Sequence, residues 1–203
     1  MKYIILDIET GPAPLDAILA MAPEIERGKP DSRLKDPEKV AANMAAIEAR
    51  YEADKRAVIE RAALSAETGL VLAVGTLDDE NYEGLYANET NDDASEKACL
   101  QGMALVLKQA AIDNVPVIGH NIKGFDLPFF MRRCWRHGVR FNRNDIFDGR
   151  YFRRNIVDTM ETWAAGEYGR KMSLNNLAKY FGLPEKLGTG DQFAQWWNGG
   201  ERD

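Results

Sequence analysis

The chain has 203 residues, 45% of them hydrophobic and 29% charged, with a net charge of −6. That composition excludes a mostly disordered protein, and the length fits one domain carrying an insertion better than two separate domains. No apolar run approaches the ~20 residues that span a bilayer, no signal peptide precedes the first apolar run, and Cys99 and Cys134 form no C-x-x-C pair, so a cytoplasmic protein without a membrane partner is expected.

Residues 2–8, Lys-Tyr-Ile-Ile-Leu-Asp-Ile, form a short apolar run stopped by Gly11-Pro12, which predicts a buried central strand. Pro12, Pro14, Pro23 and Pro30 then punctuate an irregular stretch. Asp36-Pro37 has the form of an N-cap followed by proline at the first helical position. Val40, Met44, Ile47, Tyr51, Val58 and Ala62 recur at helical spacing, so 37–62 is predicted as one amphipathic helix within an insertion spanning 12–66. Gly69–Leu77 and Tyr82–Ala87 are predicted strands joined by the turn Asp78-Asp79-Glu80-Asn81. A helix over 91–111, a strand over 115–119 and a helix over 127–137 follow. Residues 156–159 fit a fifth strand or a helix start, and Ser173 caps a helix running through Tyr180. Three strands before the first core helix give a mixed α/β order. The fold class expected is therefore α/β, a mixed five-stranded sheet flanked by helices with a helical insertion after the first strand.

Charge is uneven along the chain. From Arg132 to Lys171 ten Lys or Arg face five Asp or Glu, a local +5 that leaves −11 for the rest. A basic segment in an acidic protein can follow phosphates while the acidic remainder holds metal ions, although a solvated surface is the commoner outcome for charge alone.

Asp7-Ile8-Glu9 closes the first predicted strand, and residues two apart on a strand share a face. Two carboxylates side by side raise each other's pKa unless a cation lies between them. The stretch Gly119-His120-Asn121-Ile122-Lys123-Gly124-Phe125-Asp126 carries the chain from a strand into a helix, with Asp126 in its first turn. If that strand lies beside 2–8, Asp126 reaches the rim that holds Asp7 and Glu9. Three converging carboxylates suit Mg²⁺ or Mn²⁺, which take oxygen ligands.

Asp7-Ile8-Glu9-Thr10 and Asn121…Phe125-Asp126 resemble the first two motifs of the DnaQ-like (DEDD) 3′–5′ exonucleases, which have a ribonuclease-H-like fold. Within them the chain most resembles predicted exonucleases related to the proofreading domain of family-B DNA polymerases. The resemblance implies a nuclease using two Mg²⁺ or Mn²⁺ ions to hydrolyse phosphodiester bonds at the 3′ end of single-stranded DNA or RNA. It further implies that Asp7 bridges both ions, that Glu9 and Asp126 complete part of their ligand shell, and that Thr10, Asn121 and Phe125 contact the terminal nucleotide. Phe130 is read instead as a core residue.

The third motif of that superfamily, Tyr-x-x-x-Asp or His-x-x-x-x-Asp, does not occur in its expected place. His120 and His137 are followed at five positions by Phe125 and Asn142, and the one Tyr-x-x-x-Asp, Tyr3 to Asp7, is the first strand itself. Asp158 is read as a helix-start residue and Asp191 lacks the right context. A shortened form of a longer enzyme, or a catalytically impaired nucleic-acid-binding relative, is the alternative. A ribonuclease-H-type endonuclease shares the acidic cluster but lacks the Asn121…Phe125-Asp126 context.

Overall fold

The computed structural model describes residues 2–21, 25–90, 92–185 and 188. The stretch with Asp191 and Trp196-Trp197 lies outside them. The chain divides into two compact units, Pro12–Gly69 and the remainder.

In the first, α1 (Leu15–Met21) precedes a 25-residue helix, α2 (Pro37–Arg61). Asp36 caps α2 by accepting the backbone N–H of Glu38, and Pro37 takes the first helical position, as the sequence predicts. No α2 residue is fully buried, and Met44, on the expected apolar stripe, is 49% exposed. Local contacts run along its surface instead. Arg27 pairs with Glu48 at 3.0 Å and lies 4.7 Å over the Tyr51 ring.

The second unit holds a mixed five-stranded sheet. In chain order it contains β1 (Ile4–Pro12), β2 (Gly69–Asp78), β3 (Glu83–Ala87), α3 (Asp93–Ile112), β4 (Val117–Gly119), α4 (Asp126–His137), the short hairpin β5 (Phe147–Asp148) and β6 (Tyr151–Phe152), then β7 (Ile156–Asp158), α5 (Thr159–Ala164) and α6 (Leu174–Tyr180). The sheet order is β3-β2-β1-β4-β7. β1, β4 and β7 are mutually parallel, with Ile4 opposite Val117 and Gly119 opposite Asp158. β2 and β3 are antiparallel, with Ala73 opposite Ala87. Residues 156–159 are both strand and helix start: β7 ends at Asp158, which caps α5.

β2 contributes the central apolar layer. Leu70 to Val74 are all at least 95% buried, so both faces of this strand are covered. β1 lies mid-sheet as expected, but it is not buried on both faces. Ile4, Leu6 and Ile8 are buried while Ile5 is 40% exposed and Asp7 is exposed, an alternation of period two. The apolar run alone does not distinguish these cases, because Ile5 is as hydrophobic as its buried neighbours.

The helices pack by recognisable devices. Asp92 caps α3 through the N–H groups of Ala94 and Ser95. Gly102 lets α3 approach β3, since a Cβ there would lie 2.3 Å from the Tyr86 ring. α4 buries Leu127, Phe129, Phe130 and Cys134 and ends at Gly138, whose φ of +62° closes its last turn. Phe130 is thus a core residue, as read from the sequence. Among the described residues no helix is long and apolar enough to cross a membrane.

Candidate functional site

The parallel register decides what meets at the sheet rim. Ile5 is opposite Ile118 and Gly119 is opposite Asp158, so the ends of β4 and β7 stand level with the middle of β1. Gly119 is required there, because a Cβ would lie 2.9 Å from the Leu6 carbonyl oxygen and 2.7 Å from Cβ of Ile122. The chain then leaves β4 through a tight loop and enters α4 at Asp126.

That loop is held by Asp158. Its Oδ1 accepts the backbone N–H of Asn121 at 2.9 Å and of Met160 at 2.9 Å, while its Oδ2 accepts that of Lys123 at 3.1 Å. Asp158 is therefore the helix-start residue expected from sequence, and it also fixes the loop that presents Asp126. Asn121 adopts φ +63°, a left-handed conformation that asparagine tolerates. Its side chain packs over Gly124, where a Cβ would meet Asn121 Oδ1 at 2.4 Å. His120 ties the loop to the chain ahead of α6: Nε2 donates to the Met172 carbonyl at 2.8 Å and Nδ1 lies 2.9 Å from Thr159 Oγ1.

Asp126 is 3% exposed, and its Oδ1 accepts the backbone N–H of Ile8 at 3.1 Å. The donor is the residue between Asp7 and Glu9, so the fold carries this carboxylate onto the Asp7-Ile8-Glu9 segment across 118 residues of sequence. Burial, and then the negative charge of Asp7, push the Asp126 carboxyl up to about 7, with Asp158 adding a smaller push. Asp7 is exposed, Glu9 half-buried and Thr10 9% exposed. Phe125 is half-buried, its ring 5.5 Å from that of Phe129.

The fit to a divalent cation follows from this chemistry. Asp7, Glu9 and Asp126 offer oxygen donors only, the set that Mg²⁺ and Mn²⁺ take, and a cation would relieve the electrostatic cost recorded in the raised Asp126 carboxyl. The three carboxylates do not close to within 4.8 Å of one another, which a set divided between two ions does not require.

Among the described residues the one trio that does close to that distance is Asp93, Glu96 and His137, which the sequence reading missed. It does not fit a cation. Glu96, 1% exposed, accepts from Arg133 at 2.8 and 2.6 Å, from the Val71 backbone N–H at 2.8 Å, and meets His137 Nε2 at 2.7 Å. A guanidinium already occupies the position a metal would take, so this is a buried ion pair tying α3 to α4 and β2. The Arg and His at positions 133 and 137 of a helix, four apart on its buried face, are the signal that could have pointed to it.

Beside Asn121 opens a cavity of about 490 Å³ lined by Lys123, Phe152, Met160, Tyr168, Arg170 and Lys171 among others. Lys123 pairs with Glu161 at 2.6 Å, and Tyr168 is fully exposed. Arg153, within the basic 132–171 segment, is held by the carbonyls of Asn144 at 3.1 Å and Ala111 at 3.4 Å.

Residues 59–199, about two thirds of the chain, match the RNase_H superfamily. The chain belongs to the RNase_H superfamily. The mixed β3-β2-β1-β4-β7 sheet flanked by helices is consistent with an RNase H-like α/β fold. Members of this superfamily are usually nucleases that use divalent metals, so membership points to a nuclease-type function and a nucleic-acid substrate. No curated protein matches the chain.

Proposed function

We propose that the protein is a metal-dependent 3′–5′ exonuclease of the DnaQ-like (DEDD) type, hydrolysing phosphodiester bonds at the 3′ ends of single-stranded DNA or RNA. The observation that carries this reading is the seat of Asp126: a buried carboxylate, raised to about 7 by burial and by Asp7, on the N–H between Asp7 and Glu9. Asp7, Glu9 and Asp126 would hold the two divalent ions. Bound there, such ions supply an acidified water as nucleophile and offset charge on the departing 3′ oxygen.

The chain's own groups do the rest. Asp158 fixes the 120–123 loop, and through it the start of α4, so the Asp126 carboxylate stays on β1. Thr10, Asn121 and Phe125 border the carboxylates in sequence and receive the terminal nucleotide, Phe125 by stacking on its base. The cavity beside Asn121, with the rings of Phe152 and Tyr168 and the cations Lys123 and Arg170, has room for the nucleotide behind it. No described residue supplies the tyrosine or histidine of a third motif, and Asp158 accepts three backbone N–H groups, two on Oδ1 and one on Oδ2, as a cap and loop anchor. General-base assistance contributes typically 10²–10⁴-fold, so slow turnover is expected.

The test is degradation of a 5′-labelled single strand in Mn²⁺. A ladder shortening from the 3′ end, abolished by EDTA and by Asp7→Asn, supports the proposal. Internal cuts without a 3′ ladder favour a ribonuclease-H-type endonuclease, and a ladder that survives Asp7→Asn refutes the site.

A further inference from the structure

The outer side of α4 carries a second cleft whose chemistry differs from that of the carboxylate rim. It has a volume of about 530 Å³ and is lined by Trp135, Phe141, Phe147, Arg140, Arg143 and Met131, with no acidic residue among the described residues of its lining. Trp135 is 68% exposed. A tryptophan left in water beside two further rings is a large apolar surface that asks for an occupant. The rings are held in place beforehand: Phe147 stacks on Phe152 at 4.7 Å across the β5–β6 hairpin, and the Arg143 guanidinium lies 4.5 Å over Phe147 while donating to the Gly149 carbonyl at 2.6 Å. At the hairpin tip Arg150 lies 4.9 Å over the ring of Tyr151, which is 64% exposed.

The surrounding charge is predominantly positive. Between Met131 and Arg154 there are eight arginines and two aspartates. Arg133 is buried against Glu96 and Arg153 is half-buried on backbone carbonyls, which leaves Arg132, Arg136, Arg140, Arg143, Arg150 and Arg154 exposed, Arg140 and Arg143 of them lining the cleft. All are arginine, the side chain whose planar fork matches phosphate and stacks on rings. Flat apolar rings interleaved with guanidinium groups complement a ligand that alternates flat bases with anionic phosphates.

We infer that this cleft is a second binding site for single-stranded nucleic acid, distinct from the hydrolytic rim, with a base stacking on the exposed Trp135, Phe147 walling the cleft beneath Arg143, and phosphates held by Arg140 and Arg143. This rests on the reading of the protein as one that acts on single strands, but on different residues. Trp135 follows Asp126 by nine positions, which at about 100° per residue places it on the opposite side of α4. The cleft therefore anchors a strand outside the centre that cuts it. An acidic peptide would use the arginines but not the rings.

The experiment is fluorescence anisotropy of a 5′-fluorescein-labelled (dT)12 strand with the full chain in EDTA, where hydrolysis is off. One stacked base is worth roughly a five- to 150-fold change in affinity, so Trp135→Ala should weaken binding by a factor in that range and Trp135→Phe should retain most of it. Arg140→Glu with Arg143→Glu should weaken binding and flatten its salt dependence. Heparin, a polyanion without bases, should lose affinity in the arginine variant and not in Trp135→Ala. Trp135→Ala should bind Mn²⁺ as the parent does, which separates this site from the rim. The inference is overturned if the parent does not bind, if Trp135→Ala binds (dT)12 within about twofold of the parent, or if it loses heparin to the same degree. Ring-dependent binding without metal-dependent degradation leaves the cleft standing and removes the exonuclease proposal. Degradation with binding indifferent to Trp135 does the reverse.

Discussion

Replacing Asp126 by asparagine should stabilise the metal-free protein, with a pH dependence that identifies the cause. Asparagine keeps an oxygen to accept the Ile8 N–H, removes the charge and replaces the other carboxyl oxygen by an amide NH₂. The folded carboxyl is raised from an ordinary 3.8 to about 7, chiefly by burial. At 1.36 kcal/mol per pH unit this corresponds to about 4 kcal/mol. Loss of a negative charge in the first turn of α4 costs up to about 1 kcal/mol, leaving a net gain of about 3 kcal/mol. The sign follows from linkage: the folded carboxyl keeps its proton to higher pH than the unfolded one. Folding is therefore unpenalised below about pH 4, and the cost grows until it is complete above about pH 7. Thermal unfolding in EDTA at pH 8 should give a Tm roughly 6–12 °C higher for Asp126→Asn, at 2–4 °C per kcal/mol for a chain of this length. At pH 4 the two proteins should unfold together. A variant no more stable than the parent at pH 8, or equally more stable at both pH values, would refute the reasoning.

Two further outcomes follow from the core. Arg133→Met should destabilise by about 3–5 kcal/mol in urea unfolding, because it leaves Glu96 buried and unpaired with that guanidinium, and adding Glu96→Gln should recover part of the loss since the glutamine still accepts from Val71; no loss in the single variant would contradict the ion pair. Cys99 and Cys134 are both pushed up to about 12 by burial, with the Glu96 charge adding to each. Both thiols should resist a thiol-disulfide reagent at pH 8 until urea unfolds the protein, and rapid stoichiometric reaction of the native protein would show that this core opens.

The parts of this fold set by local chemistry were legible in the sequence. Asp36-Pro37, Asp92 and Ser173 are caps whose side chains bond the N–H groups two or three residues ahead, so the starts of α2, α3 and α6 could be read from short stretches. The meander of β2 and β3 was equally local. What escaped depends on distant partners. β1 alternates between buried and exposed because of what packs on each face, which Ile-Ile-Leu does not encode. Glu96, Arg133 and His137 are separated by up to 41 residues and look like surface charges until α3 and α4 meet. The hairpin β5–β6 has two-residue strands, too short for any periodicity, although Asp148-Gly149 is a turn signal. Asp7, Glu9 and Asp126 could be proposed early because strand order predicts which ends share a rim. The hold of Asp158 on Asn121 and Lys123 could not, since it depends on the register of β4 against β7.

The most direct test of the carboxylate centre is Mn²⁺ binding followed by electron paramagnetic resonance, comparing the parent chain with Asp7→Asn and Asp126→Asn. Free Mn²⁺ gives a sharp signal that broadens on binding, so affinity is read without any substrate or turnover. The expected result is saturable binding by the parent, weakened at least tenfold in each variant, because each replaces one of the proposed anionic ligands by a neutral amide. Equal affinity in all three proteins, or none in the parent, would contradict the assignment of Asp7 and Asp126 to one metal centre.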